Sequence, residues 1–366
     1  MNEHIGMGKL NQKGAAAILL LFYLGSILNM PSDLGADGWI ALLAGLAAAF
    51  PLLLLLARLV RIMPGMGLYE MLEYTLGRVL AIFVSVLYFA YFILLAAMTQ
   101  VRYGVFVQLT SLTNTPMVVI LILFAAVGVY LAKSGVETLG KWSVLTAAVV
   151  ILSAVVLTLF AIPSMRVENL LPIATSGGRA IVRGGVRQAI FPFGGAVVML
   201  ALSGRLDCKA NPYRVFLFGA AIACVFFVLT FLRDAAVLGA GSMDTLRYPF
   251  FQAAGVIRVG AIETRIESLA AVPILLAGVT KAAVYLFAAV GAVRRVLGVR
   301  AGRRVFIPAA IFSVGLAAVL SGHLGVWDSF PTVYLRIALL FQLGIPVLMW
   351  VAAEVKRIRR PVVAEE

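Results

Sequence analysis

Cysteine is almost missing from this chain: among 366 residues there are two, Cys208 between Asp207 and Lys209, and Cys224 inside an apolar run. Placed at such different depths the two are not expected to pair, so no disulfide framework holds the fold. Histidine is equally scarce, with two residues near predicted helix ends, His4 and His323. Neither residue type offers the spacing of a metal site, and neither metal nor cofactor is expected. Charge is the third shortage. Only 13% of residues are charged and 63% are hydrophobic, against roughly 25% charged in soluble domains. A water-facing surface cannot be assembled from that supply.

What is there instead is apolar length. The mean hydropathy is +1.05, and runs such as Gly14 to Met30, Ile40 to Ala57 and Val144 to Ile162 match the roughly 20 helical residues that cross about 30 Å of hydrocarbon. The opening stretch, Met1 to Lys13 followed by Gly14 to Leu28, has the layout of a signal peptide. It is long for that purpose and ends in Asn29-Met30-Pro31 rather than a small-x-small cleavage site, so it is read as an uncleaved first span.

Reading apolar runs between polar breaks predicts helices near 12–36, 38–58, 78–109, 115–133, 138–162, 181–204, 212–240, 266–294, 304–321 and 330–356. The 30 lysines and arginines against 16 acidic residues give a net charge of +14, but they lie in short loops rather than on one soluble face, which argues against nucleic acid. With the N-terminus inside, nineteen basic residues fall on the inner side and ten on the outer, leaving Lys281 within a span. That bias predicts both termini cytoplasmic.

Ten spans divide into two sets of five. Because five is odd, the second set begins on the opposite side of the bilayer, which makes an inverted repeat. The fold class expected is therefore an all-α integral membrane protein with about ten transmembrane helices in a five-plus-five inverted repeat. The expected organisation is a cytoplasmic segment 1–11, a first repeat 12–163, an outer linker 164–180, a second repeat 181–358 and a cytoplasmic tail 359–366. Each set opens with an interrupted helix, Gly25-Ser26 in the first and Pro192-Phe193-Gly194-Gly195 in the sixth. Broken helices at matching positions of two halves point to a binding site near the midplane. The third and eighth spans are unusually long and are expected to tilt. Within the second repeat, the segment 242–265 is too polar to span; Pro249 opens a short helix with Phe250, Ala254 and Ile257 on one face, expected to lie on the outer surface as a lid or as a plain cover.

Lys281 carries the strongest single signal. About fourteen residues from each predicted end of the eighth span, its Cα lies roughly 20 Å from either boundary, farther than its side chain reaches. An ammonium there costs at least about 3 kcal/mol on insertion scales and needs a polar cavity or a partner. The alternative to a ligand site is a structural lysine bonded to carbonyls of a broken helix. The pocket residues expected around it are Gly25, Ser26 and Asn29 of the first span, Tyr91 of the third, Phe193, Gly194 and Gly195 of the sixth, and Tyr285 one turn along. Tyr88 and Gln100 are further inward-facing candidates. Half-helix ends can hold a carboxylate at one pole and an amine at the other, which fits an amino acid. Arg179, Arg183 and Arg187, spaced by four, share one helix face. They are expected to line an outer vestibule or to meet an acidic partner domain, with lipid phosphates as the bland alternative.

Several motifs, taken in order, resemble one family. They are Leu24-Gly25-Ser26 before Asp37-Gly38-Trp39-Ile40-Ala41, Pro64-Gly65 ahead of Leu68-Tyr69-Glu70, Asn169-Leu170-Leu171-Pro172, Phe191-Pro192-Phe193-Gly194, Tyr248-Pro249-Phe250 with Ile257-Arg258-Val259-Gly260, Glu263-Thr264-Arg265-Ile266-Glu267, and Lys281 with Tyr285-Leu286. Together they resemble the permease-like B subunit of spore germination receptors, within the amino acid/polyamine/organocation transporter superfamily. The resemblance implies the broken-helix transporter fold, a spore inner membrane location, a small germinant that is often an amino acid, and two partners, an A-type membrane subunit and a C-type lipoprotein. One departure stands out: the family often places an acidic residue after the sixth-span Phe-Gly, where this chain has Gly195.

Three function classes are weighed on this basis. An enzyme is disfavoured, since no nucleophile elbow, metal cluster or midplane carboxylate pair can be assembled. A ligand-sensing receptor subunit and a cation- or proton-coupled amino acid transporter share the site. With no carboxylate placed inside the membrane and Lys281 standing where a coupling ion would, sensing is favoured.

Overall fold

The computed structural model describes residues 8–29, 34–173, 176–243, 245–257, 267–298, 303–322 and 334–359. It is helical almost throughout. The helices begin where side chains cap them: Asn11 accepts from the Gly14 amide at 2.7 Å to start α1 (Gln12–Leu24), and Asn211 accepts from Tyr213 ahead of Pro212 to start α9 (Pro212–Leu238), which satisfies donors a new helix leaves free. In order, the others are α2 (Gly38–Ile62), α3 (Leu68–Leu76), α4 (Arg78–Thr110), α5 (Met117–Lys133), α6 (Val136–Ala161), α7 (Gly178–Ile190), α8 (Leu200–Ser203), α10 (Ala240–Met243), α11 (Pro249–Val256), α12 (Glu267–Leu297), α13 (Phe306–Ser321) and α14 (Ile345–Arg359). A π-helical stretch, Leu340–Gly344, leads into α14.

Seven helical segments are long and apolar enough to cross a membrane, and three shorter apolar helices, α1, α5 and α13, bring the spans to ten among the described residues. At 33 residues α4 is about 50 Å long, so it crosses at a tilt. Much of the packing is paired as an inverted repeat expects. The first span packs on the seventh (α1 on α9) as the sixth packs on the second (α7 on α2). The fourth packs on the eighth (α5 on α12) as the ninth packs on the third (α13 on α4), while the third meets the eighth and the second meets the seventh. Exchanging each span with the one five places on leaves this set of contacts unchanged. Leucines, isoleucines and valines such as Val79, Leu123, Leu145, Leu152 and Ile311 remain exposed on the outside of the bundle, which is how a lipid-facing surface reads.

Several expectations are corrected. The first helix stops at Leu24 rather than running to 36, because Gly25 and Ser26 turn out of it and a 3-10 turn, Ile27–Asn29, comes next. The sixth span starts at Gly178, three residues early, and is broken into pieces at the expected Pro192-Phe193-Gly194-Gly195 interruption. The helix α3 has no counterpart among the expected helices: nine residues are too few for a membrane span and its apolar side is short. It is held by tertiary contacts, with Tyr69 donating to the Ala288 carbonyl at 2.6 Å, Glu73 paired with Arg295, and Lys356 donating to the Tyr74 carbonyl. The α11 helix does bury one face, Phe250, Ala254 and the adjoining Ile257. Its aromatic start sits on Phe106 of α4, with Tyr248 at 5.0 Å and Phe251 at 5.6 Å between ring centroids. The expectations for Arg258, Arg265, His323 and the far end of segment 242–265 lie outside the described residues.

Candidate functional site

The turn after α1 is forced by the helix behind it. A Cβ on Gly25 would come within 2.9 Å of the Ala277 carbonyl oxygen and 3.0 Å of Lys281 Cβ. Only glycine lets the backbone press this closely against α12. The Gly25 amide still donates to Leu21, the Ser26 amide donates to Tyr23, and the Gly25 carbonyl accepts from Tyr103 Oη at 3.2 Å. The helix is thereby ended without orphaning its backbone in the apolar interior.

The sixth span breaks in its own way. Phe191 takes an extended conformation at the end of α7, Pro192 has no amide hydrogen to donate, and the chain resumes as a 3-10 turn, Phe193–Met199, before α8. The two breaks are tied to each other, because Tyr23 Oη donates to the Phe193 carbonyl at 3.2 Å. Here too the glycines mark close approach. A Cβ on Gly194 would meet the Gln342 side chain, and one on Gly195 would come within 2.8 Å of the Phe22 ring.

Lys281 lies where these pieces converge, 2% exposed, 14 residues after the start of α12 and 16 before its end. Its Nζ donates to Ser26 Oγ at 2.5 Å. Three aromatic rings surround the ammonium, with centroids at 4.8 Å (Phe191), 5.0 Å (Phe22) and 6.0 Å (Tyr285). Each contact of this kind contributes about 0.5–2 kcal/mol, more when desolvated. The cation is thus held by a hydroxyl and the negative faces of rings, and it bridges three broken or packed elements. Chemically this is a polar point inside an apolar wall, the pattern of small-molecule sites.

Of the residues expected around Lys281, the structure brings together Gly25, Ser26 and Tyr285, and reaches Phe193 and Gly195 through Tyr23 and Phe22. Gly194 and Tyr91 belong to an adjoining cluster. Gln342 donates to Tyr91 Oη at 3.0 Å and to Tyr334 Oη at 3.1 Å, and Tyr91 stacks on Phe341 at 4.4 Å. Tyr88 donates to the Phe341 carbonyl, and Gln100 turns away to donate to Ser313 on α13. Asn29 closes the 3-10 turn of the first span. Arg179, Arg183 and Arg187 share the exposed side of α7, whose opposite side, Gly184, Gly185 and Gln188, is packed on α2. They stand apart from the buried lysine cluster.

Sequence reasoning misses Phe22, Tyr23, Phe191 and Tyr103 as site residues, because aromatics in apolar helices carry no signal of their own. One inference needs correction. Carboxylates do occur inside the bundle: Asp234 is 3% exposed within α9, and Asp37 is fully buried at the start of α2. Asp234 escapes a reading of the sequence because its position looks like a helix end. Arg233 beside it donates to Asp234 Oδ1 from Nε at 2.9 Å and Nη2 at 2.6 Å, and the pair enters the interior together.

Comparison with known proteins bears on this arrangement. The family described as spore germination protein matches residues 15–320, which includes both breaks and Lys281. This chain belongs to the spore germination permease family. Among its relatives in Bacillus subtilis (strain 168), spore germination protein KB is 25% identical over 352 residues, 94% of each chain. Spore germination protein YndE is 21% identical over 241 residues, 64% of this chain and 66% of its own. Spore germination protein A2 is 24% identical over 183 residues, half of each chain. Among solved structures, a Na+-coupled sialic acid symporter in a substrate-bound outward-open state superposes with a TM-score of 0.71 at 17% identity, over 94% of this chain and 79% of that one. That likeness shows the fold. Family and fold together describe a multi-pass membrane protein of germinant-receptor type, on the receptor or transporter side rather than the enzyme side.

Proposed function

We propose that this chain is the ligand-sensing membrane subunit of a spore germinant receptor, binding a small nutrient germinant of amino acid type between its two broken helices. The observation that supports this most directly is the Lys281–Ser26 contact, which places a buried cation against the unwound turn of the first span, next to the sixth-span break at Phe191. The ammonium is suited to the carboxylate of an amino acid, and Phe22, Phe191 and Tyr285 to its side chain. Binding draws the two breaks together and shifts the bundle between two packings. Partner subunits, an A-type membrane protein and a C-type lipoprotein, then receive that shift. In this reading the two repeats are 12–163 and 181–358 joined by the linker 164–180, the segments 1–11 and 359–366 and both termini face the cytoplasm, and the protein resides in the spore inner membrane or the cell membrane. The exposed Arg179, Arg183 and Arg187 gather anionic ligands or an acidic partner at the outer face.

A second reading, a cation- or proton-coupled amino acid transporter, is favoured by the likeness in fold to a Na+-coupled symporter. Radiolabelled amino acids presented to proteoliposomes separate the two. Saturable binding without accumulation supports sensing. Accumulation against a gradient of protons or sodium supports transport and overturns the sensor reading.

A further inference from the structure

A second polar pocket lies away from Lys281, under α11. Its cavity, about 60 Å³, lies between the turn after the first break (Ile27, Leu28), α9 and the segment Arg247–Phe250. Two buried polar residues of α9 line it, Thr230 and Asp234, one turn apart and so on one helix face. Both contacts from Arg233 go to Asp234 Oδ1, which leaves Oδ2 with no hydrogen bond among the described residues. The Thr230 hydroxyl likewise has none there, although a threonine within a helix can bond back to its own preceding turn. Arg247 lines the same cavity from the α11 side, its guanidinium 5.9 Å from the Tyr248 ring. The remaining walls are apolar.

A bare cation is a poor match for this pocket, because Arg233 already pairs with the single carboxylate and the exposed Arg247 lines the same cavity. A bare anion is a poor match because Asp234 faces it. A molecule carrying both charges satisfies all of them. We propose that the pocket beneath α11 is a second, peripheral site for a small zwitterionic amino acid, with its ammonium on Asp234 Oδ2 and Thr230 Oγ1 and its carboxylate on Arg247. The cavity as it stands holds about two waters' worth of volume, so α11 lifts to admit the ligand. Ile27 and Leu28 belong to the unwound turn that Ser26 begins, so occupancy here presses directly on the element that carries the Lys281 contact. The proposal goes beyond the midplane reading and does not require it.

The test is equilibrium binding of each of the twenty tritiated standard amino acids to the purified full-length chain in nanodiscs, by scintillation proximity. Two ligands per chain are expected for at least one small amino acid. Asp234→Asn lowers this to one, with a loss of at least tenfold in affinity at the lost site. Thr230→Val and Arg247→Gln leave the Arg233–Asp234 pair intact, so they give the same result should Asp234→Asn not fold. The amine alone, ethylamine, and the acid alone, propionate, do not compete. A stoichiometry of one that all three variants leave within twofold overturns the second site and leaves the midplane reading standing. Binding lost in the Asp234 variants but kept in Lys281→Met overturns the midplane reading and leaves this one. Binding of none of the twenty overturns both.

Discussion

Replacing Lys281 with methionine removes one charge and almost no volume, and the contacts around the ammonium set the energetic consequence. The lost hydrogen bond to Ser26 involves a charged donor, a class that contributes about 1.5–3 kcal/mol. Three ring contacts at 4.8–6.0 Å add about 0.5–2 kcal/mol apiece. Against these stands the cost of holding an ammonium at the membrane centre, at least about 3 kcal/mol. The two sides are of the same order, and buried charges replaced by apolar residues of similar shape are often neutral for stability. The Cβ that packs on Gly25 is retained in methionine. Lys281→Met is therefore expected to fold and assemble, with stability changed by no more than about 2 kcal/mol, while ligand binding at the midplane site, read in proteoliposomes as the loss of one bound ligand per chain, and the germination response of spores carrying it are abolished. Thermal unfolding monitored by size-exclusion chromatography in detergent reads the first, and labelled amino acid binding the second. Binding and germination within twofold of wild type would refute the role assigned to the ammonium. Intact binding capacity in the few molecules that fold, with most of the protein lost, would show that Lys281 is a structural cation instead.

The neighbouring contacts carry outcomes of their own. Gly25→Ala drives a methyl group against the Ala277 carbonyl and Lys281 Cβ, so a loss of about 1–3 kcal/mol in stability together with weakened binding is expected; a melting temperature equal to wild type would contradict the close approach. Gly195→Asp introduces a carboxylate but must displace Phe22; altered ligand preference in competition binding is expected, and an unchanged profile would show that the Phe22 side of the pocket does not contact ligand. Tyr23→Phe removes the hydroxyl that links the two breaks, with an expected cost of about 1 kcal/mol and a faster exchange of the Phe193–Met199 amides with deuterium. Changing Arg179, Arg183 and Arg187 together to glutamine is expected to weaken ligand response or complex assembly without affecting folding, since all three are exposed; unchanged response and assembly would remove them from the outer surface role.

Local chemistry makes much of this protein readable in advance. Apolar run length dictates a span wherever it occurs, because lipid offers no partner to an open backbone, so ten spans are dictated by composition along the chain. Gly25 and Pro192 mark their breaks because one lacks a Cβ and the other an amide hydrogen, properties that belong to the residue itself. Lys281 stands out for the same reason: a cation in mid-run is conspicuous whatever surrounds it. Its partners are another matter. Ser26 is 255 residues away and the Tyr23–Phe193 bond spans 170; no periodicity encodes which of many aromatic residues will close around the ammonium. The packing of α12 on α1 and on α4 makes that choice. The fate of α3 is settled in the same way, by a carbonyl and an arginine presented from α12 and a lysine ammonium from α14. Asp234 shows the limit most plainly. An Asp next to an Arg near the end of an apolar run reads as solvated, and only the closure of α11 over α9 turns that pair into part of the interior. The residues alone determine which positions break or burden a helix, because those effects act within a few residues; tertiary packing decides what they touch, because that is a matter of which distant surfaces fit.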